Sequence, residues 1–243
     1  MKAVTAPQAR PRASLTDTLR AYNPLYRLAT KLRMREAAAF DLRFDIDTEK
    51  PVFLDELSIP GKSTGDARFY VATPVRDLKR LIRKAPIELA RFTFLDLGCG
   101  KGRALMLADD AGFREVIGVE ADSHLSEIAD ANARRWAQTH PGSTPIQIIN
   151  CDAREYHFPA GNLFVYLSNP FEGEVLDTVL ANLVEASKDP TRELVIAYNY
   201  NVAAGRIDAT GAFERRDLRP RLPWRRSTVS YHLPLRSQEE VMR

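Results

Sequence analysis

The chain has little of what would set it apart from ordinary globular proteins. It holds two cysteines in 243 residues, Cys99 and Cys151, with no CxxC pair and no histidine at ligand spacing. A disulfide framework and a structural zinc site are therefore excluded, and no metal is expected. No segment approaches the roughly 18 consecutive apolar residues of a membrane span. The N-terminus has a lysine but lacks the apolar core of a secretory signal. A cytoplasmic protein that does not engage membranes is the expectation. Charge of one sign is scarce too: 35 Lys and Arg face 32 Asp and Glu, a balance too even to announce a nucleic-acid binder. There is no internal repeat.

A 44% hydrophobic content is enough for a buried core, and its distribution along the chain is informative. Met1 to Ala13 is poor in large apolar residues, and no fixed structure is expected there. Ser14 to Phe40 reads as helical, with Ser14 and Asp17 close to a capping box. Asn23-Pro24 should interrupt it, because the residue before proline is pushed out of the α region. A second helix would then present Leu25, Leu28, Leu32 and Ala39 on one face. Phe40 to Phe69 reads as an irregular stretch, long enough to be a lid. Thr73-Pro74 looks like a cap and first turn.

From there the chain alternates. Strands are expected at Phe92–Leu97, Val116–Val119, Ile146–Ile149, Leu163–Leu167 and Leu194–Tyr198. Helices are expected at Val75–Ile82, Gly102–Ala111, His124–Thr139 and Val175–Ala186. Apolar strands separated by helices indicate a parallel sheet buried on both faces. After Asn199 the alternation stops, and Phe213–Arg216 and Thr228–His232 read as a hairpin. The predicted fold class is α/β: a doubly wound, Rossmann-like seven-stranded sheet, mostly parallel, with a C-terminal antiparallel hairpin and an N-terminal helical segment. Residues 1–67 form that tail, helices and lid, and residues 68–243 the catalytic domain.

The first strand runs through Asp96-Leu97-Gly98-Cys99-Gly100-Lys101-Gly102 into a helix. Glycines permit positive φ and close ligand approach, and a helix N-terminus offers unpaired N–H groups to an anion. The spacing is GxGxG. It is neither the GxGxxG of dinucleotide folds nor a P-loop. Glu120 closes the second strand, where two acceptor oxygens suit the hydroxyls of a ribose. Asp152 follows the third, where a carboxylate suits an exocyclic amine and the Ala153 N–H a ring nitrogen. The fourth strand ends in Ser168-Asn169-Pro170-Phe171, whose Asn-Pro pair is also ordinary turn chemistry.

This ordered set resembles the motifs of class I S-adenosylmethionine-dependent methyltransferases, over about residues 68–235. The resemblance implies that Asp96, Gly98, Cys99, Gly100 and Gly102 hold the methionine end, Glu120 the ribose, and Asp152 with Ala153 the adenine. Asn169, Pro170 and Phe171 resemble the Asn-Pro-Pro-aromatic motif that orients a target nitrogen, although one proline is missing. They are the expected catalytic residues, with Asn169 also beside the cofactor. Arg68 to Pro74 is similar to a segment of Dot1-like lysine methyltransferases, which implies cofactor contacts for Tyr70 and Thr73.

The acceptor is less legible. A lysine-like protein amine leads; glutamine, adenine, a small molecule, RNA or DNA, or a non-catalytic binding module are the alternatives. Tyr198 and Tyr200 are nominated as an aromatic wall. The basic terminal segments, Arg221 to Arg226 with Trp224 above all, are candidates for an acidic partner. The four histidines, His124, His140, His157 and His232, are read as incidental.

Overall fold

A computed structural model describes residues 24–50, 52, 72–168, 171–200, 202–218 and 229–235. The elements, in chain order, are helices α1 (Pro24–Phe44) and α2 (Val75–Arg83), strand β1 (Phe92–Leu97), α3 (Arg103–Ala111), β2 (Glu115–Glu120), α4 (Ser123–Thr139), β3 (Ile146–Asn150), β4 (Asn162–Leu167), α5 (Gly173–Ser187), β5 (Leu194–Asn199), α6 (Ala204–Ala209), β6 (Phe213–Asp217) and β7 (Val229–Pro234). The seven strands form one sheet in the order β3-β2-β1-β4-β5-β7-β6. Only β7 runs against its neighbours, pairing antiparallel with both β5 and β6. The chain reverses its direction of travel across the sheet between β1 and β4, and such switch points open a crevice at the carboxyl ends of strands.

The central strands read as apolar runs because both of their faces are covered. Every residue of β1 and β5 is buried. Alternation divides their side chains between two layers. Phe94, Phe164 and Tyr166 pack with Leu78 and Leu81 of α2 and Leu105 of α3. Leu95, Leu97, Val165 and Leu167 pack on the opposite face with Val175, Val179 and Leu183 of α5.

Three expectations are corrected at the local level. The helix beginning at Pro24 runs on to Phe44, so Phe40–Phe44 is helical rather than irregular. Among its described side chains the buried ones are Ala37 and Phe40, whereas Leu28 and Leu32 are 54% and 52% exposed. The reason is aromatic docking: Phe44 meets Trp136 of α4 with ring centroids 4.6 Å apart and Phe40 lies 6.1 Å from the same indole. Periodicity alone could not choose that face. At the start of α2, Thr73 does not cap the helix: Pro74 occupies the N-cap position without a side-chain bond. Finally, alternation does not end at Asn199, because the short α6 precedes the hairpin. The expected Ser14 helix, Tyr70, Asn169, Pro170, Thr228 and the Arg221–Arg226 segment with Trp224 lie outside the described residues.

The hairpin's inner face holds a buried histidine. His232 accepts or donates across 2.9 Å to Ser230 Oγ through Nε2, and its Nδ1 is 3.5 Å from Asp208 Oδ1. Burial pushes its pKa down to about 4 against the pull of Asp208. The ring is therefore neutral near neutral pH and the Asp208 contact is no ion pair there. A depressed histidine binds its proton more tightly when unfolded, so its stabilisation is present above the ordinary value and lost as pH falls. The melting temperature should fall by several degrees between pH 6.5 and about 4, and His232→Gln should flatten that part of the profile, as read by thermal melts across pH.

Candidate active site

The glycine loop between β1 and α3 is built from backbone conformations that only glycine takes readily. Gly98, Gly100 and Gly102 have φ of 83°, 54° and 85°. Its N–H groups are tied down one after another. Those of Gly98 and Cys99 donate to Val119 O at 2.8 and 3.1 Å, and that of Gly102 to Cys99 O at 3.0 Å. The remaining glycine N–H, of Gly100, donates to Glu120 Oε2 at 2.8 Å. The other carboxylate oxygen, Oε1, accepts from Asp122 N at 3.0 Å. Glu120 thus locks the loop to the end of β2, while its remaining lone pairs are available to a ligand.

Asp96 sits one strand over, 3% exposed, paired in register with Gly118 on one side and Tyr166 on the other. Burial, and then the charge of Glu120, hold its carboxyl well above the usual range. Burial raises Glu120 as well, although the Asp122 and Gly100 N–H groups pull it back. Among the described residues no cation pairs with either of these two buried carboxylates. A ligand bringing an ammonium group and hydroxyl donors fits that deficit.

Cys99 turns its thiol inward, where burial raises its pKa. The sulfur lies beneath Gly118, at which a Cβ would stand 2.8 Å from Sγ and 2.5 Å from Leu105 Cδ1. Gly118 therefore lets the loop lie flat on β2, a role the sequence reading missed. A glycine inside an otherwise β-branched strand was the available signal. At the end of β3, the carboxylate of Asp152 is gripped by its neighbour: Arg154 Nη2 reaches Oδ2 at 2.8 Å and Nε lies 3.2 Å from both oxygens. Ala153 is buried against the α5 layer.

The ends of β4 and β5 carry a polar cluster that was only partly foreseen. The buried Tyr166 hydroxyl lies 3.1 Å from Thr73 Oγ1 and accepts from Asn199 Nδ2 at 3.1 Å. Ser168 Oγ is 3.4 Å from Thr73 Oγ1 and 3.5 Å from Asn199 Nδ2. Burial raises the Tyr166 pKa further above its usual value, so the phenol stays protonated. Phe171 is buried at 8% exposure within the α5 layer, and Tyr198 is wholly buried there. Tyr200 is the aromatic left at the rim, 37% exposed with φ of 53°, a conformation a bulky side chain seldom adopts. Thr73, Asp96, Glu120 and the glycine loop are thus gathered at the carboxyl ends of the interior strands β1, β2 and β4.

Residues 94–190 match a family described as a methyltransferase domain. The matched segment runs from β1 through α5 and includes the glycine loop and Glu120. No curated protein matches the chain. Among solved structures, the ribosomal protein L11 methylase of Lactobacillus delbrueckii subsp. bulgaricus is 15% identical, with 68% of this chain and 79% of that one covered at a TM-score of 0.45. A 23S rRNA methyltransferase is 17% identical over 69% and 72%, also at 0.45. A putative RNA methyltransferase from Pyrococcus horikoshii is 18% identical over 74% and 92%, again at 0.45. Likeness this distant carries nothing about the acceptor. No helix among the described residues is long and apolar enough to cross a membrane.

The raised carboxyls make binding pH-dependent. A carboxyl whose folded value is raised stabilises the free protein at low pH, and that contribution is lost as pH rises through the raised value. An ammonium group bound beside them favours the charged form, so S-adenosylhomocysteine, which carries one, should bind more tightly as pH rises through that value and should release protons on binding. Calorimetry in buffers of different ionisation enthalpy checks this; Asp96→Asn should abolish most of the release.

Proposed function

We propose that the chain is an S-adenosylmethionine-dependent methyltransferase that acts on a nitrogen, and that its acceptor is a lysine-like amine of a protein side chain. In this reading Asp96 and the glycine loop hold the methionine end of S-adenosylmethionine. Glu120 accepts from the ribose hydroxyls, and Asp152 with the Ala153 N–H reads the adenine. Bound there, the cofactor supplies a methyl group on a sulfonium, an electrophile for in-line displacement, in which alignment of the reacting atoms lowers the barrier.

The observation that carries the acceptor reading is the polar cluster at the ends of β4 and β5. Asn199 commits its amide N–H groups to Tyr166 and Ser168, which leaves its Oδ1 as an acceptor. Ser168 adds a hydroxyl immediately before Asn169-Pro170-Phe171. Acceptor groups of this kind hold an amine by its hydrogens and leave its lone pair for the methyl carbon. Tyr200, exposed at the end of the neighbouring strand, offers a ring face to a cationic or newly methylated nitrogen. No histidine shares a hydrogen bond with this cluster among the described residues. Proton loss from the amine would then rest on desolvation, which lowers an ammonium pKa.

Phe171 contributes in this reading through packing, since its ring is held in the core; Asn169 and Pro170 follow Ser168 directly and keep their proposed catalytic place, and Tyr70 and Thr73 their place beside the cofactor. Labelled cofactor incubated with lysate should leave label that is lost with protease and survives nuclease. Label that survives protease and is lost with nuclease would overturn the protein acceptor. Ser168→Ala should lower kcat on the order of tenfold or more, with the KM for cofactor little changed.

A further inference from the structure

The segment following α1 is bonded to the glycine loop and the start of α3 by a set of buried and half-buried polar contacts. Asp45 ends the helix in the left-handed region, with φ of 52°, a conformation aspartate tolerates. The chain thereby turns back on itself, and Asp41 in the last turn receives it. Asp41 Oδ2 accepts from the N–H groups of Thr48 and Glu49, both at 2.6 Å, and Oδ1 accepts from Thr48 Oγ1 at 2.5 Å. Thr48 Oγ1 in turn accepts from Arg103 Nε at 2.7 Å, and Arg103 Nη2 reaches Asp41 Oδ1 at 3.1 Å. Arg103 is the first residue of α3, the helix that the loop runs into, and is 2% exposed.

A second anchor lies beside the first. Asn132 of α4 donates through Nδ2 to Asp47 O at 2.9 Å and to Lys101 O at 3.0 Å. Its Oδ1 accepts from Asp47 N at 2.9 Å. Lys101 Nζ lies 3.2 Å from Asp47 Oδ2, with the lysine side chain 3% exposed. The loop therefore carries two buried cations, Lys101 and Arg103, at the helix end where the backbone dipole is already positive. Lys101 meets Asp47 and Arg103 meets Asp41, two carboxylates from the same stretch of chain.

We propose that Asp41, Asp47 and Thr48 are positioning residues of the cofactor site, which set the glycine loop and the start of α3 through Arg103, Lys101 and Asn132. The proposal rests on the reading that this loop binds S-adenosylmethionine. Asp41–Glu49 then works as part of the methyltransferase unit, although the sequence reading placed it in a tail ending at residue 67. Neutralising Lys101 and Arg103 fixes where the N–H groups at the start of α3 point. It also leaves that helix end to attract the cofactor's carboxylate through directed N–H groups rather than through two mobile cations.

The experiment is calorimetric titration with S-adenosylhomocysteine, alongside thermal melts and hydrogen exchange. Wild type must bind; absence of binding by folded wild type would overturn the cofactor reading and this proposal together, whereas the variants test this proposal alone. Thr48→Val keeps the shape and removes the hydroxyl, and should weaken binding about tenfold. Thr48→Ser restores the oxygen and should bind within about twofold of wild type. Coupling is reciprocal, so ligand should slow exchange of the Thr48 and Glu49 amides, which donate to Asp41. A Thr48→Val protein that melts earlier but binds with wild-type affinity, with no ligand effect on those amides, would show a structural prop only and overturn the proposal. Should Thr48→Val not fold, Asp47→Asn decides, since that carboxylate is 44% exposed. A raised cofactor KM with unchanged kcat supports positioning, and unchanged KM overturns it.

Discussion

The site depends on one hydrogen bond pattern, the closure of the glycine loop by Glu120. Three left-handed glycines leave the loop without side chains to hold it, so its shape must be fixed through the backbone. Val119 O and the Glu120 carboxylate do this from the end of β2, and Gly118 allows the close approach. One residue therefore shapes the loop and supplies acceptor oxygens beside it. Loss of Glu120 would disturb loop geometry and ligand contact together.

Charge is arranged in two groups around that loop. Asp96 and Glu120 are buried with no cationic partner among the described residues and hold their protons longer than usual. Lys101 and Arg103 are buried and matched by Asp47 and Asp41. A buried charge left alone costs several kcal/mol, which accounts for that pairing. The carboxylates unmatched among the described residues suit a ligand that brings an ammonium group. A loop with the same glycines but the charges exchanged would select a different molecule.

The parallel core was legible because its strands are apolar on both faces and its helices keep a 3.6-residue period. The loop and the strand-end carboxylates were legible because their spacing reflects backbone geometry. Other features depend on tertiary contacts that no local pattern encodes. Phe171 sits in a motif that suggests a substrate-facing ring, yet the α5 layer buries it. Of two tyrosines at alternate positions, Tyr198 points into the core and Tyr200 reaches the rim in a strained backbone. Leu28 and Leu32 outnumber Phe40 on a helical wheel, but Trp136 draws the aromatic face inward. The link from Asp41 to Arg103 spans 62 residues and joins a helix end to a loop that the sequence assigned to another domain. Asp152 was read correctly as a strand-end carboxylate, while its grip by Arg154 was not anticipated.

The central claim is that the Glu120-closed loop is a cofactor site. Titration of wild type and Glu120→Ala with S-adenosylhomocysteine at neutral pH tests it most directly. Saturable one-to-one binding by wild type, weakened at least tenfold or so in the variant, is the predicted result. Absence of binding by folded wild type, or equal affinity in the two proteins, would contradict it.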